Sequence, residues 1–236
     1  IIFSKGVTVI WGENGSGKTS LLEAIYILSL GKSFKTHKQT SIIKKGHTSY
    51  IVKGIFSSGK VLNNVAIQTN LKNKKVIKVN GKTIKNRKEI IGKNNVVVLS
   101  PEDQIVTKGG PKERRLFFDR LFSIVNIDYL NTLQEFNRAL KQRNALLVKS
   151  KEIKEETIFP WDEKLSISAI KLWEIRKKCF KEYKRSLNKV ISKYQKDLIL
   201  AVLYAENPIS KEEFKQKLKT TRERDSLLGR TTHGPH

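Results

Sequence analysis

Eight residues near the start of the chain have the types and spacing that bind phosphate. They fit the pattern G-x-x-x-x-G-K-[ST] at every fixed position, and they are Gly12, Glu13, Asn14, Gly15, Ser16, Gly17, Lys18 and Thr19. Glycine allows backbone conformations that other residues avoid, so successive N–H groups can face an anion. The pattern predicts that Lys18 contacts the β- and γ-phosphates of a nucleoside triphosphate and that the Thr19 hydroxyl binds Mg²⁺.

The segments beside this loop must position it. Residues 7–11, VTVIW, are a short apolar run that predicts a buried strand. Residues 18–30 are apolar on most sides, which predicts a helix packed into a sheet, and Gly31 ends it. A chance glycine-rich turn is the alternative, but strand, loop and helix are the context that a phosphate loop requires. We therefore predict an α/β fold of the P-loop NTPase class.

The rest of the first half predicts antiparallel β-hairpins attached to this α/β core. Residues 49–57 and 61–70 read as strands around a Ser-Gly-Lys turn. Asn-Gly at 80–81 is the strongest short signal for a further hairpin. Residues 95–103, NVVVLSPED, predict another buried strand followed by a turn.

From Pro111 onward the sequence predicts helices. The first of them has Pro111 in its first turn, and the next has leucines at helical spacing, Leu130, Leu133, Leu140 and Leu147. After a break at residues 157–163, TIFPWDE, a long helix is predicted over about 162–205. It carries an apolar stripe close to a heptad repeat, formed by Trp173, Phe180, Tyr183, Leu187, Val190, Tyr194 and Leu198.

We expect the two long helices to pack antiparallel as an inserted helical arm. Ser210 and Glu213 then form a capping box at the start of a shorter helix. The predicted domain order is an ATPase head with the phosphate loop over 1–110, the arm over 111–228, and the start of a return to the head over 229–236.

The charge of the chain points to a polyanionic partner. The 47 basic residues exceed the 22 acidic residues, for a formal net charge of +25. Nucleic acid is the expected partner of such a charge. The alternative is the bias of an AT-rich genome, because 36 of the basic residues are Lys and only 11 are Arg.

Composition also bears on the cell compartment and on the extent of the chain. No apolar run is long enough to span a membrane, no signal peptide is present, and the single Cys179 has no partner for an internal disulfide. We therefore expect a cytoplasmic protein. There is no Met, and the chain starts within strand-like sequence, so we expect a piece of a longer protein, with an engineered truncation as the alternative.

Other P-loop classes fit the residues less well. The D-x-x-G and N-K-x-D motifs of a small GTPase are absent, since NKKV at 73–76 lacks the Asp. A small-molecule kinase does not normally need so long an arm. A mechanical or clamp-like ATPase remains favoured.

Several stretches, in this order along the chain, together resemble the RecF family, bacterial recombination mediators related to the SMC and Rad50 ATPases. They are GVTVIWGENGSGKTSLLEAIYILSLGKSFKT (6–36), NGK (80–82), VVVLSPEDQIVTKGGPKERRLFFDRL (96–121), YLNTLQEFNRALKQRNALL (129–147), WDEKL (161–165) and GRTTHGPH (229–236). The first stretch also fits the wider SMC group, whereas SPED, RNALL and GPH are more specific.

The resemblance implies an ATPase head with a helical arm and the cofactors ATP and Mg²⁺. It implies that ATP drives two heads into a homodimer and that the protein binds single-stranded, gapped or junction DNA. RecO and RecR are the implied protein partners in loading a recombinase, within DNA repair, replication and the SOS response. No membrane is involved.

The resemblance also bears on catalysis. Ser100-Pro101-Glu102-Asp103 corresponds to a segment that contacts Mg²⁺ and the attacking water in related heads. Lys35 stands where the family usually has Arg; it keeps the positive charge but not the planar fork that a bidentate contact needs. The signature motif and the catalytic Glu are expected beyond His236, so the catalytic residues stay unknown. We expect a weak, DNA-stimulated ATPase from the full-length protein and little turnover from these 236 residues.

Other charged and aromatic residues have two readings. The first helices carry five basic residues, Lys112, Arg114, Arg115, Arg120 and Arg138. These residues contact phosphates or the partner head, or they form a solvent-exposed helix face. Two predicted hairpin tips, KNKK (72–75) and KNRK (85–88), either reach the DNA backbone or are exposed turns. Trp173 and Tyr183 fit the arm core better than a base-stacking platform.

A zinc site is not expected, because the histidines lack metal-ligand spacing with Cys179; they are His37, His47, His233 and His236.

Two functional alternatives stay open. An SMC- or Rad50-like clamp on chromosomes or DNA ends would continue into hundreds of heptad residues, whereas this arm returns near Gly229. A P-loop enzyme acting on a small molecule would make the lysine excess purely compositional and would not bind DNA at physiological salt.

Overall fold

The computed structural model describes residues 1–100, 104–149, 154–195, 198 and 210–235, without the side chains of Ile105 and Lys149. The chain divides into two compact units, Ile1–Pro101 and Glu102–His236. No helix in the described ranges is long and apolar enough to cross a membrane. The predicted domain boundaries at 110/111 and 228/229 remain predictions.

The first unit consists of one helix on a four-stranded sheet. Helix α1 spans Lys18–Leu30, and the strands are β1 (Ser49–Ser58), β2 (Val61–Asn70), β3 (Lys75–Val79) and β4 (Lys82–Ile84). Short 3-10 turns lie at Gln39–Ile42 and Arg87–Glu89. The strands pair in sequence order, each antiparallel to the next.

The sheet register places alternate side chains on α1. Val65 and Ile67 of β2 and Ile77 of β3 are buried against Ile27 and Leu28. Gly54 of β1 leaves room for the helix, because a Cβ there would lie 2.6 Å from Leu28 Cδ1.

The Asn80-Gly81 turn is confirmed. Both residues have positive φ, 49° and 80°, as a two-residue hairpin turn of this type requires.

Two predicted strands do not form. Residues 7–11 and 95–100 belong to no strand, and most of their apolar side chains are exposed, with Val7 at 89% and Val97 at 93%. The exceptions are Ile10, Val96 and Val98, which are half-buried. β-branched residues favour extended backbone, but a strand also needs a neighbour to complete its hydrogen-bond ladder. Among the described residues, no segment pairs with either run.

The second unit is helical. Its helices are α2 (Ile105–Lys108), α3 (Pro111–Val125), α4 (Ile127–Lys149), α5 (Glu155–Tyr194), α6 (Lys211–Thr220) and α7 (Arg222–Leu228). Arg143 late in α4 bonds to Asp162 early in α5, whereas Tyr129 early in α4 bonds to Arg176 later in α5. The two long helices therefore run antiparallel, as predicted.

The core of this unit forms where α3, α4, α5 and α6 meet. Phe122, Tyr129, Leu165, Leu172 and Phe214 are among its buried side chains. Trp173 and Tyr183 pack against this cluster, which confirms their assignment to the arm core.

The predicted break at 157–163 is wrong. Helix α5 begins at Glu155 and continues through Pro160. Pro160 is in the second helical turn, so it removes only a bond near the end of the helix. Ile158 and Leu165 on either side are fully buried, and their packing favours a continuous helix.

The predicted helix end at 205 also differs from the structure. Helix α5 ends at Tyr194, and residues 199–205 lie outside the described ranges. Within the apolar stripe, Val190 is 54% exposed and Tyr194 is 86% exposed. The heptad pattern therefore extends beyond the part of α5 that is packed.

Helix caps follow the sequence closely. The Ser210 hydroxyl accepts a bond from Glu213 N at 3.1 Å, and Ser210 N donates to Glu213 Oε2 at 2.8 Å. The predicted capping box is confirmed. Pro111 likewise occupies the first turn of α3.

Candidate nucleotide-binding site

The phosphate loop is shaped by its glycines. Gly12, Gly15 and Gly17 have φ of 149°, 87° and 93°, a region that side-chain-bearing residues rarely adopt. A bond from Ser16 N to Glu13 O, at 3.2 Å, closes the loop. The sequence sets this conformation locally, since each unusual φ falls on a glycine.

Helix α1 presents an uncapped N-terminus to the loop. Gly17 is its N-cap and supplies no side chain, and the first turn contains no acidic residue. The first N–H groups of a helix have no acceptor within the helix, and the helix dipole is positive there. Residues 12–17 are exposed. These features fit an incoming phosphate anion.

Lys18 lies folded over the loop. Its Nζ donates to Gly12 O at 2.7 Å and to Glu13 O at 2.6 Å. The ammonium group is thus held above the cradle of N–H groups, where a phosphate oxygen can replace a carbonyl as its acceptor. Thr19 follows in the first helical turn with an exposed side chain, a position available to a cation bound with the phosphates.

A second loop is fixed against α1. The Ser33 hydroxyl donates to Glu23 Oε1 and accepts bonds from Lys35 N, at 2.9 Å, and Thr36 N, at 3.1 Å. Both Glu23 and Ser33 are buried. Lys35 is thereby held on the rim of a cavity of about 410 Å³ whose lining also includes Ser20 and Tyr50.

Tyr50 lies in the same cavity and is partly desolvated. Burial raises the pKa of its phenol, the bond from Thr69 opposes this, and the charge of Glu23 adds to the increase. The phenol therefore stays neutral at physiological pH.

The basic group of the first arm helices is solvent-exposed. Lys112, Arg114, Arg115, Arg120 and Arg138 are all exposed, and Arg114 Nη1 donates to Gly109 O at 2.8 Å. Their contact with phosphates or with a second head stays a prediction. Of Ser100-Pro101-Glu102-Asp103, residues 101–103 lie outside the described ranges, so the predicted Mg²⁺ contact stays untested.

One of the two predicted hairpin tips is confirmed as a turn. Residues 71–74 connect β2 to β3, with Asn73 at φ 57°, and Lys75 is the first residue of β3. Residues 85–88 form no hairpin tip; they leave β4 and enter the 3-10 turn at Arg87–Glu89. The hairpin ends at Ile84 because the Asn86 side chain caps that turn.

Two buried arginines were not predicted from the sequence. Arg143 is fully buried, and its guanidinium donates to Asp162 (2.6 Å), Asp225 (2.7 Å), Thr231 (2.7 Å) and the Leu218 carbonyl (3.0 Å). A signal was present, since Arg143 lies at helical spacing between Leu140 and Leu147 on the apolar stripe.

Arg176 is the second. It lies between Trp173 and Phe180 on the stripe of α5 and donates to Tyr129 Oη, Asp119 Oδ1 and Pro235 O at 2.9, 2.8 and 2.8 Å. Burial raises the pKa of Tyr129 far above its ordinary value; the charge of Arg176 opposes this, and that of Asp119 reinforces it.

The loop, its helix and the helical unit define a class, the P-loop ATPases. Residues 1–226 match the family described as AAA domain. DNA replication and repair protein RecF of Thermoanaerobacter sp. (strain X514) is 32% identical over all of this chain and 68% of its own length. RecF of Leptospira interrogans is 36% identical over 95% of this chain and 62% of its own length.

A solved structure points to the same family. The recombination mediator protein RecF-ATP in the RecFOR pathway aligns with a TM-score of 0.86 and 30% identity, over all of this chain and 66% of that one. The chain belongs to the RecF family, and it spans about two thirds of the length of these relatives. The predicted fold class, an SMC-like P-loop ATPase with an antiparallel sheet and helices, is confirmed.

Proposed function

We propose that this chain is the ATP-binding part of a DNA replication and repair protein in which ATP controls DNA binding. The observation that carries the proposal is the loop at the uncapped start of α1, with Lys18 Nζ held over it by two carbonyls at 2.7 and 2.6 Å. The names of the relatives, and the ATP-bound RecF structure among them, support this use of the loop.

The residues of the loop have separate roles in this proposal. The N–H groups at the start of α1 bind phosphate oxygens, Lys18 exchanges its carbonyl acceptors for the β- and γ-phosphates, and Thr19 holds Mg²⁺. The bound nucleotide supplies the negative charge that these groups need. The family resemblance also assigns Ser100-Pro101-Glu102-Asp103 to contacts with Mg²⁺ and the attacking water.

The charge distribution supports DNA as the ligand. Residues 1–101 contain 18 Lys and Arg and only three acidic residues, Glu13, Glu23 and Glu89. Glu23 bonds to Ser33 and Glu89 to Asn86, so both are engaged inside the unit. A field of one sign attracts a phosphate backbone.

The proposal extends to the assembly of the whole protein. ATP brings two heads together as a homodimer, single-stranded, gapped or junction DNA binds to them, and RecO- and RecR-type mediators help to load a recombinase. Slow, DNA-stimulated hydrolysis releases the complex in the cytoplasm, as part of the SOS response to DNA damage. Membership of the RecF family favours this reading over an SMC-type clamp or a small-molecule enzyme.

The test measures binding of a gapped duplex by the full-length protein, with and without ATP, for the unaltered chain and Lys18→Ala. We expect ATP to tighten binding by the unaltered protein at least about tenfold, about 1.4 kcal/mol, and Lys18→Ala to lose that gain. Lys5→Ala, an exposed lysine outside the loop, is the matched control. DNA binding that ignores both ATP and Lys18 would contradict the proposal.

A further inference from the structure

Three lysine-bearing segments meet at one end of the first unit's sheet. Leu71 N donates to Thr48 O at 3.0 Å, which brings the chain before β1 against the β2–β3 turn. Ile84 of β4 pairs with Ile77 of β3, so the residues after β4 leave at this same end. We name this surface the basic end and define it by Lys44, Lys45, Lys72, Lys74 and Lys85.

The basic end carries uncompensated charge, and its β2–β3 turn is closed by hydrogen bonds. All five lysines are exposed, and no ion pair to them is present among the described residues. The β2–β3 turn is held by bonds from Asn70 N to Lys74 O (3.1 Å) and from Lys74 N to Asn70 Oδ1 (2.9 Å). Lys72 and Lys74 are therefore presented from a hydrogen-bonded turn.

Two neighbouring basic residues, Lys75 and Arg87, have a different role. Lys75 Nζ donates to Gly31 O at 2.7 Å, and the Arg87 stem packs so closely that a Cβ on Gly31 would lie 2.6 Å from Arg87 Cγ. Both are partly buried, and burial lowers the pKa of each group. Lys75 and Arg87 join the basic end to the C-terminus of α1. They are not counted among the five exposed lysines because they are partly buried.

The basic end is separate from the nucleotide site. Gly31 caps the end of α1 opposite Lys18, and α1 has 13 residues, which corresponds to about 20 Å. Lys75, which follows the turn bearing Lys72 and Lys74, contacts that far end. A change in these lysines therefore leaves the phosphate loop intact.

We infer that the basic end binds the phosphate backbone of double-stranded DNA without reading its sequence. Four strands at about 4.8 Å spacing give the end a width of about 14 Å, which spans about four base-pair steps of duplex. Its cations are lysines, which act as point charges on phosphates, whereas base reading favours planar side chains. The three segments that carry these lysines, 44–48, 71–74 and 85–86, contain no Phe, Tyr or Trp, whose rings commonly stack on the bases of single strands.

This inference rests on the proposed function, since it names the surface by which that DNA is bound. The test uses the full-length protein, a 30-bp duplex and the slope of log affinity against log salt concentration. Lys72→Glu/Lys74→Glu should reduce the slope by about 2 and weaken binding at least about tenfold, because each lost phosphate contact removes about 0.9 from the slope. As a control, the variant should have the same melting temperature and the same affinity for ATP as the unaltered protein, which would show that its fold and its phosphate loop are intact.

The matched control is Lys60→Glu/Lys82→Glu. Both residues are exposed and lie at the opposite end of the same sheet, beside the β1–β2 and β3–β4 turns, and the charge change is identical. We expect this variant to keep its slope within about 0.5 of the unaltered protein. An equal loss in both variants would mean that net charge alone matters, and the inference would fail.

Two further outcomes separate the alternatives. If the unaltered protein binds no DNA, the proposed function itself is wrong; if it binds and the Lys72/Lys74 variant keeps its slope, only the basic end is wrong. Vesicles with 30% phosphatidylserine serve as a competing polyanion. If the variant loses vesicle binding but keeps its duplex affinity, the surface binds lipid headgroups and the inference is overturned. Tighter binding of a single strand of equal length than of the duplex would also overturn the inference.

Discussion

Arg143 is a fully buried charge in the second unit. Its three guanidinium nitrogens make four hydrogen bonds, two of them to the carboxylates of Asp162 and Asp225. Asp162 also accepts from Arg222 Nη2 at 3.0 Å, and Asp225 accepts from the backbone and hydroxyl of Thr232. A buried charge is tolerated only when it is paired in this way.

We predict that Arg143→Met lowers the free energy of unfolding by about 3 to 5 kcal/mol, because it leaves the Asp225 and Asp162 carboxylates without their main partner. Urea unfolding followed by circular dichroism measures the change. Arg138→Met, an exposed arginine on the same helix, should stay within about 0.5 kcal/mol. A loss below about 1 kcal/mol for Arg143→Met would show that the carboxylates find other partners.

At the scale of elements, a local sequence signal determines where helix α6 begins, whereas packing determines where helix α5 begins. The start of α6 follows directly from Ser210 and Glu213, because a capping box satisfies the first N–H groups of a helix with residues only three apart. The start of α5 does not follow from its sequence. Pro160 suggested a break, but the helix is continuous there, and its residues Ile158 and Leu165 are buried on either side of Pro160.

We predict that Ser210→Ala destabilises the second unit by about 1 kcal/mol, since it removes the acceptor for Glu213 N. The melting temperature of the protein reports the change. Ser192→Ala near the end of α5, where the exposed hydroxyl donates to the Lys189 carbonyl, should have little effect. Equal shifts for the two variants would count against a capping role.

At the scale of the whole second unit, stretches far apart in sequence meet at one buried network. RNALL supplies Arg143 and Asn144, WDEKL supplies Asp162, and the final GRTTHGPH supplies Thr231. Thr231 N and Oγ1 both donate to Asn144 Oδ1, at 2.8 and 2.7 Å, across 87 residues of sequence. The segment 229–235, predicted to begin a return to the head, is tied to the arm helices by these bonds.

We predict that Asn144→Ala speeds amide hydrogen exchange at Thr231 at least about tenfold, because its N–H loses a partly buried acceptor worth about 1 to 3 kcal/mol. Exchange measured by mass spectrometry on a peptide that contains Thr231 tests this. Gln142→Ala, exposed on the same helix, should leave the exchange rate unchanged. Slow exchange in Asn144→Ala would mean that other contacts hold the segment.

The amino-acid sequence by itself determined the phosphate loop, helix α1, the Asn80-Gly81 turn and the helix caps. Each depends on backbone rules that act over a few residues, such as a glycine at positive φ or a hydroxyl beside a free N–H. The resemblance of ordered motifs was also sufficient to indicate the family, because motif order survives where overall identity is near 32%.

Only the tertiary structure decided which charges are buried and which segments form strands. Arg143 and Asp225 are 82 residues apart, and no local pattern specifies that they pair. Residues 7–11 and 95–100 have strand-forming side chains, but a strand exists only where another segment completes its ladder. The basic end likewise arises from sheet topology, which brings Lys44, Lys72 and Lys85 to one surface.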